Sequence, residues 1–222
     1  PLRVAFVVDA SRPAQGHVRV SMTLENNRDE TVRVAIPAWA PGAYRIVRYA
    51  RNVRNVRAAD PEGGPLEVRS VDEQTWEVRA GKRPRLAVSY EVVMERAWLD
   101  ADHCFLVGPA TYFYVVDRKE APCRVRFTMP DGWRIATPLE REGEEYGARD
   151  YDTFIDCPTE LGRFELYEFD QDGARYELVI HAAGPVDAPP LMEMCRKIVR
   201  EQNRMFGPRP PFDRYVFLYH FR

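Results

Sequence analysis

The first half of the chain is dominated by an alternation of apolar and polar residues. Apolar residues take every second position at 2–8, 18–24 and 32–36, which is the period of a strand with one buried face. Further strands are predicted at 66–70, 75–79, 85–93, 105–107, 112–116, 123–129, 164–170 and 175–181. Turns rich in Pro, Gly and Asp divide them. We therefore predict a mainly β protein whose residues 1–183 form a β-sandwich.

The period changes from two to 3.6 after residue 183. The helical stripe is formed by Leu191, Met194, Cys195, Ile198, Val199, Met205 and Phe206. Asp187 is placed to cap this helix, Pro189 and Pro190 suit its first turn, and Gly207 ends it. The pattern predicts a helix at about 187–206 and a strand at about 214–220 that is apolar on both faces.

The helix and the last strand need partners to cover their apolar faces. One interpretation is that residues 184–222 begin a second domain that is truncated here. The other is that the helix and strand fold back and close the sandwich. The residue pattern alone leaves both open.

Composition narrows the range of partners. The chain has 222 residues, 32 Lys plus Arg against 34 Asp plus Glu, and a formal net charge of −2. That balance lacks the basic surface of a nucleic-acid binder, and no apolar run reaches the roughly 20 residues that cross a bilayer. We expect a cytoplasmic protein without a membrane span, or a periplasmic or secreted one if a signal peptide has been removed. The four cysteines are widely separated, so free thiols are expected.

The residues that could bind metal are scattered. His17, His103, His181 and His220 lie far apart in sequence, and none belongs to an H-E-x-x-H segment. We therefore expect His17, His181 and His220 to be ordinary surface or strand-end residues rather than ligands. Residues 100–104 combine two Asp, a His and a Cys, but neighbouring residues on a strand point to opposite faces. A polar turn is the favoured interpretation, and no metal site is predicted in this chain.

Two segments have the character of recognition loops. Pro41 and Gly42, flanked by Trp39 and Tyr44, are expected to form a rigid turn ahead of Arg51 and Asn52. Such a loop at the end of a sandwich can present a phenol and a guanidinium at fixed positions.

The second segment contains Glu160, which follows Pro158 in an acidic stretch. Its carboxylate could bind an amine. The alternative is an exposed carboxylate at a turn, which is the usual environment of Glu.

Four motifs in register along nearly the whole chain resemble the amino-terminal part of the glycyl aminopeptidase family, which are zinc peptidases with a PDZ domain. The motifs are Trp39-x-Pro-Gly-x-Tyr44 with Ala50-Arg-Asn-Val53, Pro130-x-Gly-Trp133 with Thr137-x-Leu139, Asp150-Tyr-Asp152 with Asp156-x-Pro-x-Glu-x-Gly162, and Phe206-Gly207 with Pro211-Phe-Asp-x-Tyr215-x-Phe-Leu218. The chain departs from the family at Ala43, where Ser is usual, and at Val47 and Arg48, where an Arg and an acidic residue are usual.

The resemblance implies an amino-terminal β-sandwich followed by the first helix and strand of a thermolysin-like α+β catalytic domain. Zinc in such enzymes is bound by the two His of an H-E-x-x-H helix and by one downstream Glu. This chain lacks the H-E-x-x-H segment. The resemblance therefore implies a fragment that is inactive alone and binds no zinc, taken from a parent enzyme that removes amino-terminal Gly or Ala.

Partners and site residues follow from the same resemblance. The implied partners are a peptide with a free amino terminus and the parent's own catalytic and PDZ domains. The implied substrate-binding residues are Glu160, which would hold the α-ammonium, and Tyr44, Arg51 and Asn52. Two alternatives stay open: a stand-alone β-sandwich that binds peptides or proteins, and a degenerate peptidase that serves as a scaffold.

Overall fold

The computed structural model describes residues 1–40, 43–207 and 209–221. Its strands are β1 Arg3–Asp9, β2 His17–Glu25, β3 Thr31–Ala35, β4 Val53–Ala59, β5 Pro65–Leu66, β6 Val68–Ser70, β7 Thr75–Arg79, β8 Arg85–Val93, β9 His103–Leu106, β10 Tyr114–Val115, β11 Cys123–Thr128, β12 Arg134–Ala136, β13 Glu140–Glu142, β14 Glu145–Ala148, β15 Thr159–Gly162, β16 Glu165–Gln171, β17 Ala174–Ala182 and β18 Arg214–Phe221. The helices are α1 Gly108–Thr111, α2 Tyr151–Ile155 and α3 Ala188–Phe206. A 3-10 turn at Tyr49–Asn52 precedes β4.

The strands form four sheets within the described residues. The largest has eight strands in the order β13-β14-β11-β1-β2-β8-β4-β5, and a four-stranded sheet follows the order β10-β3-β7-β6. Two three-stranded sheets are ordered β12-β15-β9 and β16-β17-β18. The mainly β prediction is confirmed.

Alternation along the strands builds the main hydrophobic core. In β2, Val18, Val20, Met22 and Leu24 are buried while the residues between them are partly or fully exposed. The inward side chains of β3 and β7 join the same core, so one core is shared by the eight-stranded and four-stranded sheets. The expectation from the period of two therefore holds for these strands.

Strand β4 was not predicted, and its backbone explains why. Its pairing with β8 shifts register between Arg54 and Arg57, and Asn55 has a φ of 56°. A bulge of this kind breaks the alternation of buried and exposed residues. The short strands β12, β13, β14 and β15 also escaped prediction because three or four residues carry too little periodic signal.

The sheet β16-β17-β18 and α3 share a smaller core of their own. Phe169, Tyr176 and Leu178 pack there against Cys195 and Val199 of α3. Strand β17 pairs in parallel with β18 over its whole length. The division predicted at residue 183 separates these two strands, and it stays a prediction.

Only part of the helical stripe of α3 is covered. Cys195 and Val199 are buried, whereas Met194, Ile198 and Phe206 are exposed, Phe206 to 87%. Asp187 is at the N-cap position, but its side chain makes no capping hydrogen bond. Among the helices of the described residues, none has the length and apolar character needed to cross a membrane.

Candidate functional site

Four polar side chains meet between the sheet β12-β15-β9 and the sheet β16-β17-β18. We call His103, Glu160, His181 and His220 the His–Glu cluster. Glu160 on β15 is directly opposite Phe105 on β9, and directly paired residues share one face of a sheet. The opposite face of the same strands carries Cys104 and Leu161, which are buried in the main core.

Glu160 is the centre of this cluster. Its side chain is buried, and its two oxygens each accept one hydrogen bond. His103 donates from Nδ1 to Oε1 at 3.0 Å, and His220 donates from Nε2 to Oε2 at 2.9 Å. Burial raises the pKa of Glu160, but the hydrogen bonds from both histidines outweigh it and hold that pKa below its usual value. The geometry therefore favours an ionised carboxylate in a buried position.

The remaining contacts fix the orientation of the imidazoles. The rings of His103 and His181 stack at 4.0 Å between centroids, with planes 10° apart. His181 donates from Nδ1 to the carbonyl oxygen of Arg163 at 3.0 Å, and Nε2 of His103 lies 3.8 Å from a carboxylate oxygen of Asp100. The rings of His103 and His181 are thus each restrained by stacking and by a partner other than Glu160.

Gly162 explains how β15 and β9 come close enough to form this cluster. A Cβ atom at this position would lie 2.8 Å from Cα of His103 and 2.6 Å from the carbonyl oxygen of Asp102. Real Cβ atoms do not approach other atoms so closely. A side chain here would push His103 away from Glu160.

A second set of polar contacts holds the other end of β18. Arg214 on β18 donates two hydrogen bonds to Glu177, at 2.6 and 2.7 Å, and a third to the carbonyl oxygen of Thr137 at 2.8 Å. Bidentate pairs of this kind have a well-defined geometry. Strand β18 is therefore tied to the sandwich at both of its ends, through Arg214 and His220.

The donor set of the cluster includes groups that bind metals. One donor atom each from His103, Glu160 and His220 lies within 4.8 Å of the others, as do donors of Asp100, His103 and His181. Both oxygens of Glu160, however, already accept hydrogen bonds from imidazole N–H groups. Those bonds satisfy the carboxylate without an ion, so the arrangement does not fit the zinc of the peptidases, and we derive no metal chemistry from it.

A cavity of about 440 Å³ opens next to the cluster. We call it the aromatic cavity and define it by Tyr49, Arg51, Asn52, Trp98, Phe105 and Thr111, which line it. Trp98 and Phe105 pack on each other with 5.3 Å between ring centroids, and the ring of Phe105 lies 4.8 Å from that of His220. Phe105 therefore separates the cavity from the His–Glu cluster.

The structure places two of the four predicted substrate-binding residues at the aromatic cavity. Arg51 and Asn52 line the aromatic cavity, and Glu160 lies behind Phe105. Tyr44 is 97% exposed, has a φ of 50° and does not line the cavity. Pro41 and Gly42, which were expected to make the turn rigid, lie outside the described residues. The alternative of an exposed turn for Glu160 is wrong, because this residue is a buried part of β15.

His181 and His220 lie near the ends of β17 and β18, as expected, but together with His103 they form a cluster that their spacing in the sequence did not indicate. His103, His181 and His220 come together because β17 pairs in parallel with β18, which sets His181 beside His220. Residues 100–102 form a polar turn as expected, since Asp100 accepts hydrogen bonds from the backbone N–H groups of Asp102 and His103, whereas His103 and Cys104 belong to β9. The prediction of free thiols is confirmed for all four cysteines.

Solved structures share this fold. An aminopeptidase N family protein from Idiomarina loihiensis superposes with a TM-score of 0.89 at 24% identity, over 98% of this chain and 39% of that one. A two-domain M1 zinc metallopeptidase bound to L-arginine matches with a TM-score of 0.55 at 13% identity, over 98% of this chain and 56% of that one. An M1 zinc metallopeptidase from Deinococcus radiodurans matches with a TM-score of 0.52 at 14% identity, over 98% and 55% of the two chains. The chain thus spans well under two thirds of these proteins, and no curated protein sequence matches it.

Fold and sequence together define a peptidase-related amino-terminal domain. Residues 5–163 match the sequence family described as the peptidase M61 N-terminal domain, which is more than half of the chain. The chain therefore belongs to the peptidase M61 N-terminal domain family.

Proposed function

We propose that this chain is the amino-terminal, non-catalytic part of a zinc-dependent aminopeptidase that removes small residues such as Gly or Ala from peptides. The match of residues 5–163 to the peptidase M61 N-terminal domain carries the proposal. The fold shared with M1 zinc metallopeptidases supports it. The preference for Gly or Ala rests on the resemblance of the sequence motifs to the glycyl aminopeptidase family.

In this proposal the zinc ligands lie outside the chain, because its sequence contains no H-E-x-x-H segment. When bound, zinc in such enzymes activates a water molecule and polarises the scissile carbonyl. The chain itself contributes substrate contacts and a surface for the catalytic domain. The exposed apolar residues of α3, including Ile198 and Phe206, suit such a surface. The proposal also includes a PDZ domain in the parent protein, which rests on the family resemblance, and a cytoplasmic location, which rests on the composition.

Glu160, Arg51, Asn52 and Tyr44 are the proposed substrate contacts. Arg51 and Asn52 have side chains at the aromatic cavity. Both oxygens of Glu160 are already hydrogen-bonded, so a substrate ammonium would have to replace an imidazole N–H. His220 is the more accessible of the two donors, since its side chain is 14% exposed against 4% for His103.

The first experiment is the intact mass and zinc content of the native gene product purified from its source. A protein much larger than 25.7 kDa with about one zinc per chain is expected. A metal-free product of the size of this chain would refute the peptidase assignment and favour a stand-alone binding module. A larger product without zinc would favour a degenerate peptidase.

A second experiment addresses the proposed role of Glu160 in the full-length enzyme. Glu160→Gln is expected to raise KM for peptides with a free amino terminus strongly, while the melting temperature falls only a little. Acetylated peptides serve as the control, because they lack the ammonium group. Unchanged KM values would remove Glu160 from the substrate site and leave the assignment to the peptidase class untouched.

A further inference from the structure

The aromatic cavity has the size and lining of a ligand site. Its volume of about 440 Å³ falls within the range of about 300–1,000 Å³ typical of small-ligand pockets. Tyr49, Trp98 and Phe105 supply aromatic surface, and Trp98 is 37% exposed although its ring packs on Phe105. A ring or branched aliphatic group placed in the cavity would cover this surface.

The rim of the cavity is polar. Arg51 and Asn52 belong to the 3-10 turn at Tyr49–Asn52, which holds their backbone in place. In the described part of the chain, neither side chain has a hydrogen bond or an ion pair. Asn can both donate and accept, and Arg donates. These groups match the carbonyl and N–H groups of a peptide backbone, while the aromatic walls match a large side chain.

The position of the cavity connects it to the His–Glu cluster. Phe105 lines the cavity, is paired with Glu160 across the strands and contacts the ring of His220. A peptide whose amino terminus lies at Glu160 would therefore have its following residue near the cavity. A first residue as small as Gly or Ala has no side chain that could fill a cavity of this volume.

We propose that the aromatic cavity binds a large apolar side chain, aromatic or branched aliphatic, of the peptide residue that follows the amino-terminal one. Arg51 and Asn52 bind the peptide backbone at the rim. This inference rests on the proposed function, because it takes the ligand to be a peptide substrate. It concerns the second residue of the peptide, whereas the proposed preference for Gly or Ala concerns the first residue.

Binding of two dipeptide amides to this chain tests the proposal without zinc or hydrolysis. We expect Ala-Phe-amide to bind saturably, measured by calorimetry and by the fluorescence of Trp98, and Ala-Ala-amide to bind at least tenfold more weakly, which is about 1.4 kcal/mol. Trp98→Phe identifies the part of the fluorescence signal that comes from the cavity. Equal affinity for the two dipeptides would overturn the proposal.

Two variants locate the site. Ala110→Phe fills the cavity that Ala110 lines and is expected to abolish the preference for Ala-Phe-amide. Its control is Ala101→Phe, at an exposed position outside the lining, which is expected to keep that preference. Arg51→Ala changes an exposed rim residue and should weaken both dipeptides severalfold with an unchanged melting temperature, so the test does not depend on the folding of Ala110→Phe. Wild-type affinities in Arg51→Ala and in folded Ala110→Phe would each refute the site.

The outcomes are separable from those of the peptidase assignment. Selective binding by this chain, together with a parent protein that lacks zinc, would support the proposed binding site and refute the peptidase assignment. If the parent is a zinc aminopeptidase but this chain binds both dipeptides equally, the peptidase assignment stands and the proposed binding site is refuted.

Discussion

Replacement of Glu160 by Ala should destabilise the folded chain substantially. The variant removes the one acceptor that the described residues provide for Nδ1 of His103 and for Nε2 of His220. A buried donor that loses its partner costs about 1–3 kcal/mol. His103 is almost fully buried, while His220 can reach water in part. We therefore expect a total loss of about 2–5 kcal/mol in the free energy of unfolding.

The assay is thermal and urea unfolding of the purified chain at neutral pH. For a protein of this length, about 1 kcal/mol shifts the melting temperature by about 2–4 °C, so a decrease of about 4–20 °C is expected. Asp152→Ala is the matched control, because its side chain is 69% exposed and its one ion pair among the described residues is with Lys119, at 3.1 Å. Surface pairs contribute about 0–1 kcal/mol, so the control should melt within about 4 °C of the wild type.

A double-mutant cycle with His220→Ala tests the origin of the effect. If the hydrogen bond at 2.9 Å joins the two sheets, the two single changes should couple by about 0.5–3 kcal/mol. A loss of stability in Glu160→Ala no greater than that in Asp152→Ala would refute the reasoning, as would strictly additive effects of the two changes.

Three further predictions concern Glu160, Gly162 and α3. Hydrogen bonds lower the pKa of Glu160 in the folded chain, so its ionised form stabilises the fold above its usual pKa of about 4.3. This contribution is lost as the pH falls through the folded-state pKa. The difference in melting temperature between wild type and Glu160→Gln should therefore narrow below about pH 4.3, and a constant difference would contradict this. Gly162→Ala should cost about 1–3 kcal/mol by overpacking against His103 in urea titrations, whereas Gly184→Ala, which meets no atom within 4 Å, should cost much less; equal losses would argue against the close approach. The exposed apolar residues of α3 should drive self-association, so sedimentation of the wild type should show oligomers that Phe206→Ser reduces; a strictly monomeric wild type would count against an interaction surface on α3.

Local patterns were sufficient for the regular elements. Alternation of apolar residues located β1, β2, β3 and β8, and the helical stripe located α3, because burial of one face imposes a period on the residues of a single segment. The motif around Glu160 and Gly162 was also visible in the sequence. Their backbone geometry, with Gly162 packed against His103, was not.

The site required the tertiary structure. His103, Glu160 and His220 are separated by 57 and 60 residues in sequence, and they meet only because β15 pairs with β9 while β17 carries β18 alongside. No local period encodes such pairings, so each histidine resembled an ordinary strand-end residue. The same holds for the aromatic cavity, whose walls come from the 3-10 turn, β8, β9 and α1.

The sequence by itself thus determined the mainly β class, the position of α3, the peptidase resemblance and the candidate residues Arg51, Asn52 and Glu160. Only the tertiary structure decided that Glu160 is a buried, doubly hydrogen-bonded carboxylate and that Tyr44 is exposed. The physical reason is that burial and hydrogen-bond partners are set by contacts between distant segments, whereas sequence patterns report the environment of one segment at a time.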